Sequence, residues 1–294
     1  MSTTAAARAL LLTVGLKVGL KVGLKVGLKV GLAVGLTLGL TASAHADQPL
    51  WELGLGAGAL RLPHYRGADQ ARSWLLPVPY AVYRGDFLKA DRDGARAVLL
   101  DSERVDLDLS VAASPPTRSR DNNARRGMPD LAPTIEFGPN LNLLLSRGPS
   151  SKLQLRLPLR AGWTLARGAQ QTGLSAAPHL NLDLRLGGWN LGMQAGVLWG
   201  DRKRHAYFYE VEPVYATATR TTYRARGGYA GWDATLALSQ RSGSTWTAAY
   251  LKLDRLDGAR FADSPLVKRR GNWSAGFAMA WVLKTSDTRV PDTD

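Results

Sequence analysis

Ser175, His179 and Asp183 come nearest in this chain to a set of residue types that could do covalent chemistry. On an extended strand, residues of like parity share a face, so these three and Asn181 would stand in one row. A hydroxyl, an imidazole and a carboxylate in mutual contact are what nucleophilic hydrolysis needs. The row has a second reading, in which His179, Asn181, Asp183 and Arg185 line a polar interior and satisfy one another's hydrogen bonds. Other chemistry is sparse. Beyond residue 46 the histidines are His64, His179 and His205, with no metal-ligand spacing and no surrounding carboxylate cluster. The chain has no Cys, which removes disulfides, thiolate metal sites and cysteine nucleophiles. The sequence therefore predicts no catalytic site, no metal and no cofactor.

The elements that would position such a row are strands. Val105, Leu107, Leu109 and Val111 alternate with Arg104, Asp106, Asp108 and Ser110. Leu153 to Leu159, Leu180 to Leu186, Trp189 to Trp199 and Trp273 to Leu283 repeat the period of two, and no helical row of period 3.6 follows residue 46. Such alternation fits a soluble sandwich or a membrane barrel. Charge or Gly on the non-apolar face favours the barrel, as do aromatic residues near both ends of the apolar rows (Trp189 and Trp199; Trp273 and Trp281). The residues out of phase with the apolar rows are the lumen candidates: Glu136, Asn140, Asn142, Gln154, Arg156, Arg160, Asp183, Arg185 and Gln194. Their mixed signs favour a filled, cross-linked interior over a wide pore.

The strand pass gives 51–61, 74–84, 86–91, 95–101, 104–113, 133–145, 152–166, 173–186, 189–199, 223–239, 245–255 and 272–284. That is an all-β, transmembrane antiparallel β-barrel of about twelve strands, an even number that leaves both termini on one side. Connectors near 62–73, 114–132, 167–172, 200–222 and 256–271 are mostly long and suit extracellular loops. Those at Gly85, 102–103, 146–151, Gly187-Gly188 and 240–244 are short and suit periplasmic turns. The loops 62–73, 114–132 and 200–222 could also fold inward as a plug. Pro77, Pro79, Pro158 and Pro178 fall inside strands, where each removes a ladder donor. They mark a bulge or loosely paired rim, or else a lateral weak point used by a partner or lipid.

The first 46 residues form an address. Gly-Leu-Lys-Val recurs from Gly15 to Val30, an uncharged run follows, and Ala42-Ser43-Ala44 and Ala44-His45-Ala46 are small-x-small sites. A basic stretch, an apolar run and such an end make a secretory signal peptide, with cleavage expected after Ala46. The expected organisation is a signal peptide over 1–46, a barrel over 47–284 and a polar tail over 285–294. The net charge of +14 includes Arg8, Lys17, Lys21, Lys25 and Lys29 of that segment. The remainder holds 33 Lys and Arg against 24 Asp and Glu, interspersed rather than gathered in a patch. Such a surface meets anionic lipid headgroups and lipopolysaccharide rather than nucleic acid.

The chain resembles the MipA/OmpV family of outer-membrane proteins. The resemblance rests on Trp51–Gly58, Tyr65-Arg66-Gly67, Leu76-Pro77-Val78-Pro79-Tyr80 with Tyr83–Asp86, and Gly127–Leu131 with Glu136–Pro139. It continues through Trp189–Gly192, Tyr207-Phe208-Tyr209, Gly227–Gly231 and Asp263–Val267. It implies a barrel in the cell outer membrane. For the named member it also implies a scaffold joining a murein transglycosylase to a murein synthase, and for others roles in osmotic or antibiotic responses and adhesion. The expected function is a scaffold for murein synthesis and hydrolysis or for envelope maintenance, and the alternative is a narrow channel for small solutes. No catalytic motif comes with the family. One departure is the end: barrels of this kind usually close on a terminal aromatic, whereas here Thr285–Asp294 follows Trp281.

Overall fold

The computed structural model describes residues 47–85, 88–91, 94–166 and 168–291, so the signal peptide expected over 1–46 lies outside the described residues. The alternating rows form twelve antiparallel wall strands. They are β1 Trp51–Pro63, β2 Ala71–Arg84, β3 Leu88–Asp91, β4 Gly94–Asp101, β5 Val105–Ser114, β6 Thr134–Gly148 and β7 Ser151–Thr164. β8 comes in two pieces, Gln171–Ala176 and His179–Leu186. The remaining strands are β9 Trp189–Gly200, β10 Gly228–Ser242, β11 Thr245–Arg255 and β12 Gly271–Thr285. Each pairs with its sequence neighbours, and β12 returns to β1, matching Ala275–Thr285 with Arg61–Glu52. The sheet is thereby closed into a barrel.

Alternation then decides which face meets what. Val111, Leu159, Leu180, Leu236, Leu251 and Phe277 are exposed on the outside, while Glu52, Asp108, Asn142, Gln154 and Asp233 are buried inside. An outer surface this apolar suits lipid, and the inverted pattern is that of a membrane-spanning barrel. Outward aromatics stand at two levels: Phe137, Trp199, Trp232 and Trp273 near the long connectors, and Tyr83, Trp189 and Trp281 near the short turns. Ten residues separate Trp189 from Trp199 on β9. At ~3.3 Å per residue that is about 33 Å of strand, or about 25 Å of height at a tilt of roughly 40°, the depth of an apolar band between interfacial girdles.

The closing seam is built of small residues. Gly54, Gly56 and Gly58 of β1 face inward opposite Val282, Ala280 and Ala278 of β12. A Cβ on Gly56 would stand 2.0 Å from the Met279 carbonyl oxygen and 2.5 Å from Ala280 Cα, so only Gly permits this approach. At the turn end the segments flanking the wall are also tied together: Gln48–Pro49 pairs with Arg289–Val290, and Ser286 N donates to Trp51 O at 2.9 Å. The polar segment after β12 thus joins the start of the wall.

Three details differ from the strand pass. The segment 173–186 is interrupted at Ala177-Pro178, because Pro158 on β7 lies opposite Ala177, next to Pro178, and neither proline supplies a ladder donor. Ala177 N bonds Pro158 O at 3.2 Å and Val197 N bonds Pro178 O at 3.1 Å, which carries the wall past the break. β10 starts at Gly228 rather than 223, since the preceding residues serve the loop end. The connector 200–222 contains a helix, α1 Arg202–Tyr209, capped by the Asp201 side chain accepting from Arg204 N at 2.7 Å. Eight polar-rich residues are too few to show a helical period.

The seam yields a direct test. Gly56→Val should prevent closure and abolish the heat-modifiable, compact band on gels, whereas Ala57→Val, pointing outward one residue away, should retain it. A compact band of wild-type intensity for Gly56→Val would contradict the described packing.

Candidate functional site

Inside the wall, strand register lines polar residues up at matching depth. Asp108 faces Asn140 across β5 and β6, Asn142 faces Arg156 across β6 and β7, and Gln154 faces Asn181, which faces Gln194. The Asn142 amide donates to Asp108 Oδ2 at 2.7 Å, and the Asn140 amide donates to Asp108 at 3.2 Å and to Asn142 Oδ1 at 2.8 Å. Arg156 donates to Gln154 Oε1 at 3.0 Å, Arg160 to Ser110 Oγ at 2.9 Å, and Asn181 to Asp183 Oδ2 at 2.7 Å. In a low-dielectric interior such groups persist only by satisfying one another. Arg156, Asp183, Arg185 and Gln194 also border a cavity on the turn side.

Two ion-pair clusters sit above this belt and fasten the connectors to it. Glu136 of β6 accepts from Arg204 of α1 and from Ser175 Oγ at 3.0 Å. Lys252 of β11 reaches Asp233 at 2.6 Å, and Arg66 of the β1–β2 connector donates to Asp254 at 2.8 Å and to Ala230 O at 2.9 Å. Asp108, Asp233, Lys252, Asp254 and Arg204 are absent from the sequence-derived lumen set, whereas the sequence reads Asn181 as a polar-interior neighbour of His179 and Asp183. The parity rule reaches most of them, since Asp108 alternates with Leu107 and Leu109, and Lys252 and Asp254 with Leu251 and Leu253. Nothing in the sequence marks Arg204, because a loop residue has no wall parity.

The connectors 62–73, 114–132, 200–222 and 256–270 pack on one another as a cap with its own apolar core. Tyr65, Leu131, Tyr209, Val211, Leu256, Phe261 and Leu266 are all buried. Tyr209 stacks on Phe261 with centroids 3.7 Å apart and meets Tyr65 edge-on at 6.2 Å. Their hydroxyls are satisfied by Arg66 O and Leu266 O, and burial pushes both well above the ordinary phenol range. The buried Arg125 and Arg220 donate to carbonyls of Phe208, Pro129, Ala124 and Arg126. Two buried guanidiniums held by backbone oxygens bind the 114–132 and 200–222 connectors to each other.

His205 of α1 is inside this cap, 2% exposed. Its Nδ1 donates to Arg226 O at 2.6 Å, its ring meets Phe261 edge-on at 4.7 Å, and its buried Nε2 has no partner among the described residues. Burial lowers its pKa from the ordinary value. The Arg226 carbonyl and Asp201 oppose that shift, and Arg204 and Arg66 add to it. His64 is lowered by burial too, opposed by Asp121 and Asp69 and reinforced by Arg72; its Nδ1 lies 3.2 Å from the Asn122 amide nitrogen.

At the turn end the lumen is a cavity of about 1330 Å³. Buried Glu52 lies beneath two cations of its rim, Arg84 at 2.8 Å and Arg241. Tyr80 and Trp246 lie 5.6 Å apart along its side.

The Ser/His/Asp row is placed inward but not assembled. Ser175 is bonded to Glu136, His179 Nδ1 lies 2.7 Å from Ala177 O, and Asp183 accepts from Asn181. The break at Ala177-Pro178 separates Ser175 from the other two. Among the described residues no three of His, Asp and Glu converge as a metal-binding group.

With this geometry in hand, similarity to known proteins is informative. The family model described as "MltA-interacting protein MipA" matches residues 55–283. The Outer membrane protein Omp26La of Vibrio anguillarum is 24% identical over 219 residues, covering 72% of this chain and 80% of that protein. The Outer membrane protein OmpV of Vibrio cholerae aligns with the same identity and coverage. Among solved structures, an outer membrane channel from Pseudomonas putida F1 covers 83% of this chain and all of its own at 12% identity, with a TM-score of 0.42. The outer membrane phospholipase A of Escherichia coli covers 80% and 94% at 10% identity, with a TM-score of 0.33.

His205 and His64 set a pH dependence for the cap. Because His205 and His64 have folded pKa values below the ordinary ~6.5, the opened cap binds protons more readily than the packed one. Cap stability is therefore full above about pH 6.5 and falls as the pH drops below it. Limited proteolysis should cut the 200–226 connector faster at pH 5 than at pH 7.5, and His205→Gln should flatten that difference. Equal cutting rates of wild-type protein at both pH values would contradict it.

Proposed function

The chain belongs to the family of the MltA-interacting protein MipA and is an outer-membrane β-barrel, and on that premise we propose that it is a scaffold of the cell envelope. The single observation that carries this reading is the cap. Loops packed around Tyr209 and Phe261, and fastened to the wall through Glu136 and Asp254, cover the long-connector end. A barrel shut in this way does its work through surfaces rather than through flux. In bacterial outer-membrane barrels the short turns face the periplasm. That end here carries Arg147, the paired segments Gln48–Pro49 and Arg289–Val290, and Asp287, a surface on which a soluble murein enzyme can dock. The family is described by its interaction with MltA, and the proposed partners are accordingly a murein transglycosylase and a murein synthase. The outer apolar band and basic surface are proposed to meet outer-membrane lipid and lipopolysaccharide. Catalysis has no part in this reading, since Ser175 and His179 are each engaged elsewhere.

One observation favours a second reading, a narrow channel for small solutes: the turn-side cavity extends upward to Arg156 and Gln194. It would need the cap to open.

A photo-crosslinking residue at Arg147 or Asp287 in cells should capture a lytic transglycosylase, whereas one at Val214 on the cap should not. Repeated capture of no murein enzyme from either turn-end position would overturn the scaffold.

A further inference from the structure

The barrel wall is complete except at one place. β2 pairs with β1 along its whole length, from Pro63–Ala71 to Trp51–Tyr83. On its other edge the described pairing is limited to Tyr83 with Ala90 and Arg84 with Lys89. β3 is only four residues long, and β4 pairs with β5 no higher than Arg96–Ser110, while β5 continues to Ser114 against β6. Among the described residues, Ala71–Val82 therefore have no partner strand on that side, nor do Val111–Ser114 of β5.

This is a framed opening rather than a frayed edge. Above it the two flanking connectors are joined, Thr117 Oγ1 donating to His64 O at 2.6 Å and Asn123 N to Gln70 Oε1 at 2.6 Å. An open edge in lipid leaves backbone donors unsatisfied. β2 removes two of them. Arg84 N donates to Leu50 O and Ser286 N to Trp51 O, which fixes the alternation so that even residues of β2 point to β1 and odd ones to the opening. Pro77 and Pro79 are odd, so no N–H faces the gap between Leu75 and Ala81. Non-helical backbone is tolerated at membrane depth where it lines a cavity. Here it does: Leu76, Val78, Tyr80 and Val82 of β2 border the lumen cavity, and Leu76 is 44% exposed despite its inward parity.

The cavity has two kinds of wall. Val78, Tyr80, Trp246 and Tyr250 make an apolar, aromatic side next to the opening. Arg84, Arg147, Lys152, Arg156, Arg185 and Arg241 supply six cations to the lining, against the Asp183 carboxylate and buried Glu52 beneath two of them. Its volume exceeds the roughly 300–1,000 Å³ of sites for drug-sized ligands. We propose that the opening between β2 and β5 is a lateral portal, through which an anionic acyl-chain amphiphile passes between the bilayer and the cavity. The chain lies along the Val78–Tyr80–Trp246–Tyr250 side and the carboxylate or phosphate head meets the cationic lining. This binding stands independently of the murein scaffold.

The test uses the full protein purified from outer membranes and reconstituted in phospholipid vesicles carrying a diazirine analogue of palmitic acid. Photolysis should label Val78, Tyr80, Trp246 or Tyr250 as well as the outward Phe277 and Trp281, and free palmitate should compete only at the lumen positions. Replacing Arg156 and Arg185 together by Gln should lower lumen labelling about tenfold, as loss of charge-assisted contacts requires, with outward labelling and heat-modifiable mobility unchanged. Labelling confined to Phe277 and Trp281 would mean bulk lipid contact alone and refute the site. Lumen labelling indifferent to the double variant would refute the role of the cationic lining. Competition by inorganic phosphate as effective as by palmitate would assign the cavity to water-borne anions and refute the lateral route.

Discussion

The structure depends on one constraint: backbone N–H and C=O groups in lipid must be bonded within the protein, so a membrane sheet must close. Here closure is the pairing of β12 with β1, and it is made possible by Gly54, Gly56 and Gly58 lying against a row of small residues. Once the sheet is a cylinder, alternation has only two destinations. Leu and Trp go to lipid, while Asp, Asn, Gln and Arg go to an interior where they bond one another. The polar belt from Asp108 to Gln194 and the clusters at Glu136 and Asp254 follow from that confinement.

Confinement also explains the cap. An interior charge pair needs both members, and two of the partners, Arg66 and Arg204, come from connectors rather than strands. Docking those arginines draws the connectors over the mouth, where Tyr65, Tyr209, Phe261 and Leu266 find one another and exclude water from His205. The same connectors frame the incomplete stretch of wall beside β2. Strength at the loop end and openness beside β2 thus share the connectors 62–73 and 114–132.

Much of this was legible in the sequence, and for identifiable reasons. The rows Leu153–Leu159 and Trp273–Leu283 gave strand, face and girdle together, because a two-residue period leaves only one apolar side. Twelve strands followed from turn signals such as Gly187-Gly188. What stayed hidden depended on knowing which strands are neighbours. Pro158 and Pro178 look like separate irregularities until register places Pro158 opposite Ala177, the residue next to Pro178. Pro77 and Pro79 acquire meaning only when β3 proves too short to cover them. Arg204 is invisible because α1 has two turns and a polar surface, and its partner Glu136 is 68 residues away.

The central claim is that the loop end is shut by the packed cap. Planar-bilayer conductance of the protein purified from outer membranes, at neutral pH, tests it most directly. A folded barrel that passes no single-channel steps is the predicted result. Reproducible steps at neutral pH, from protein whose heat-modifiable mobility confirms folding, would contradict the cap and assign the lumen charges to ion selectivity instead.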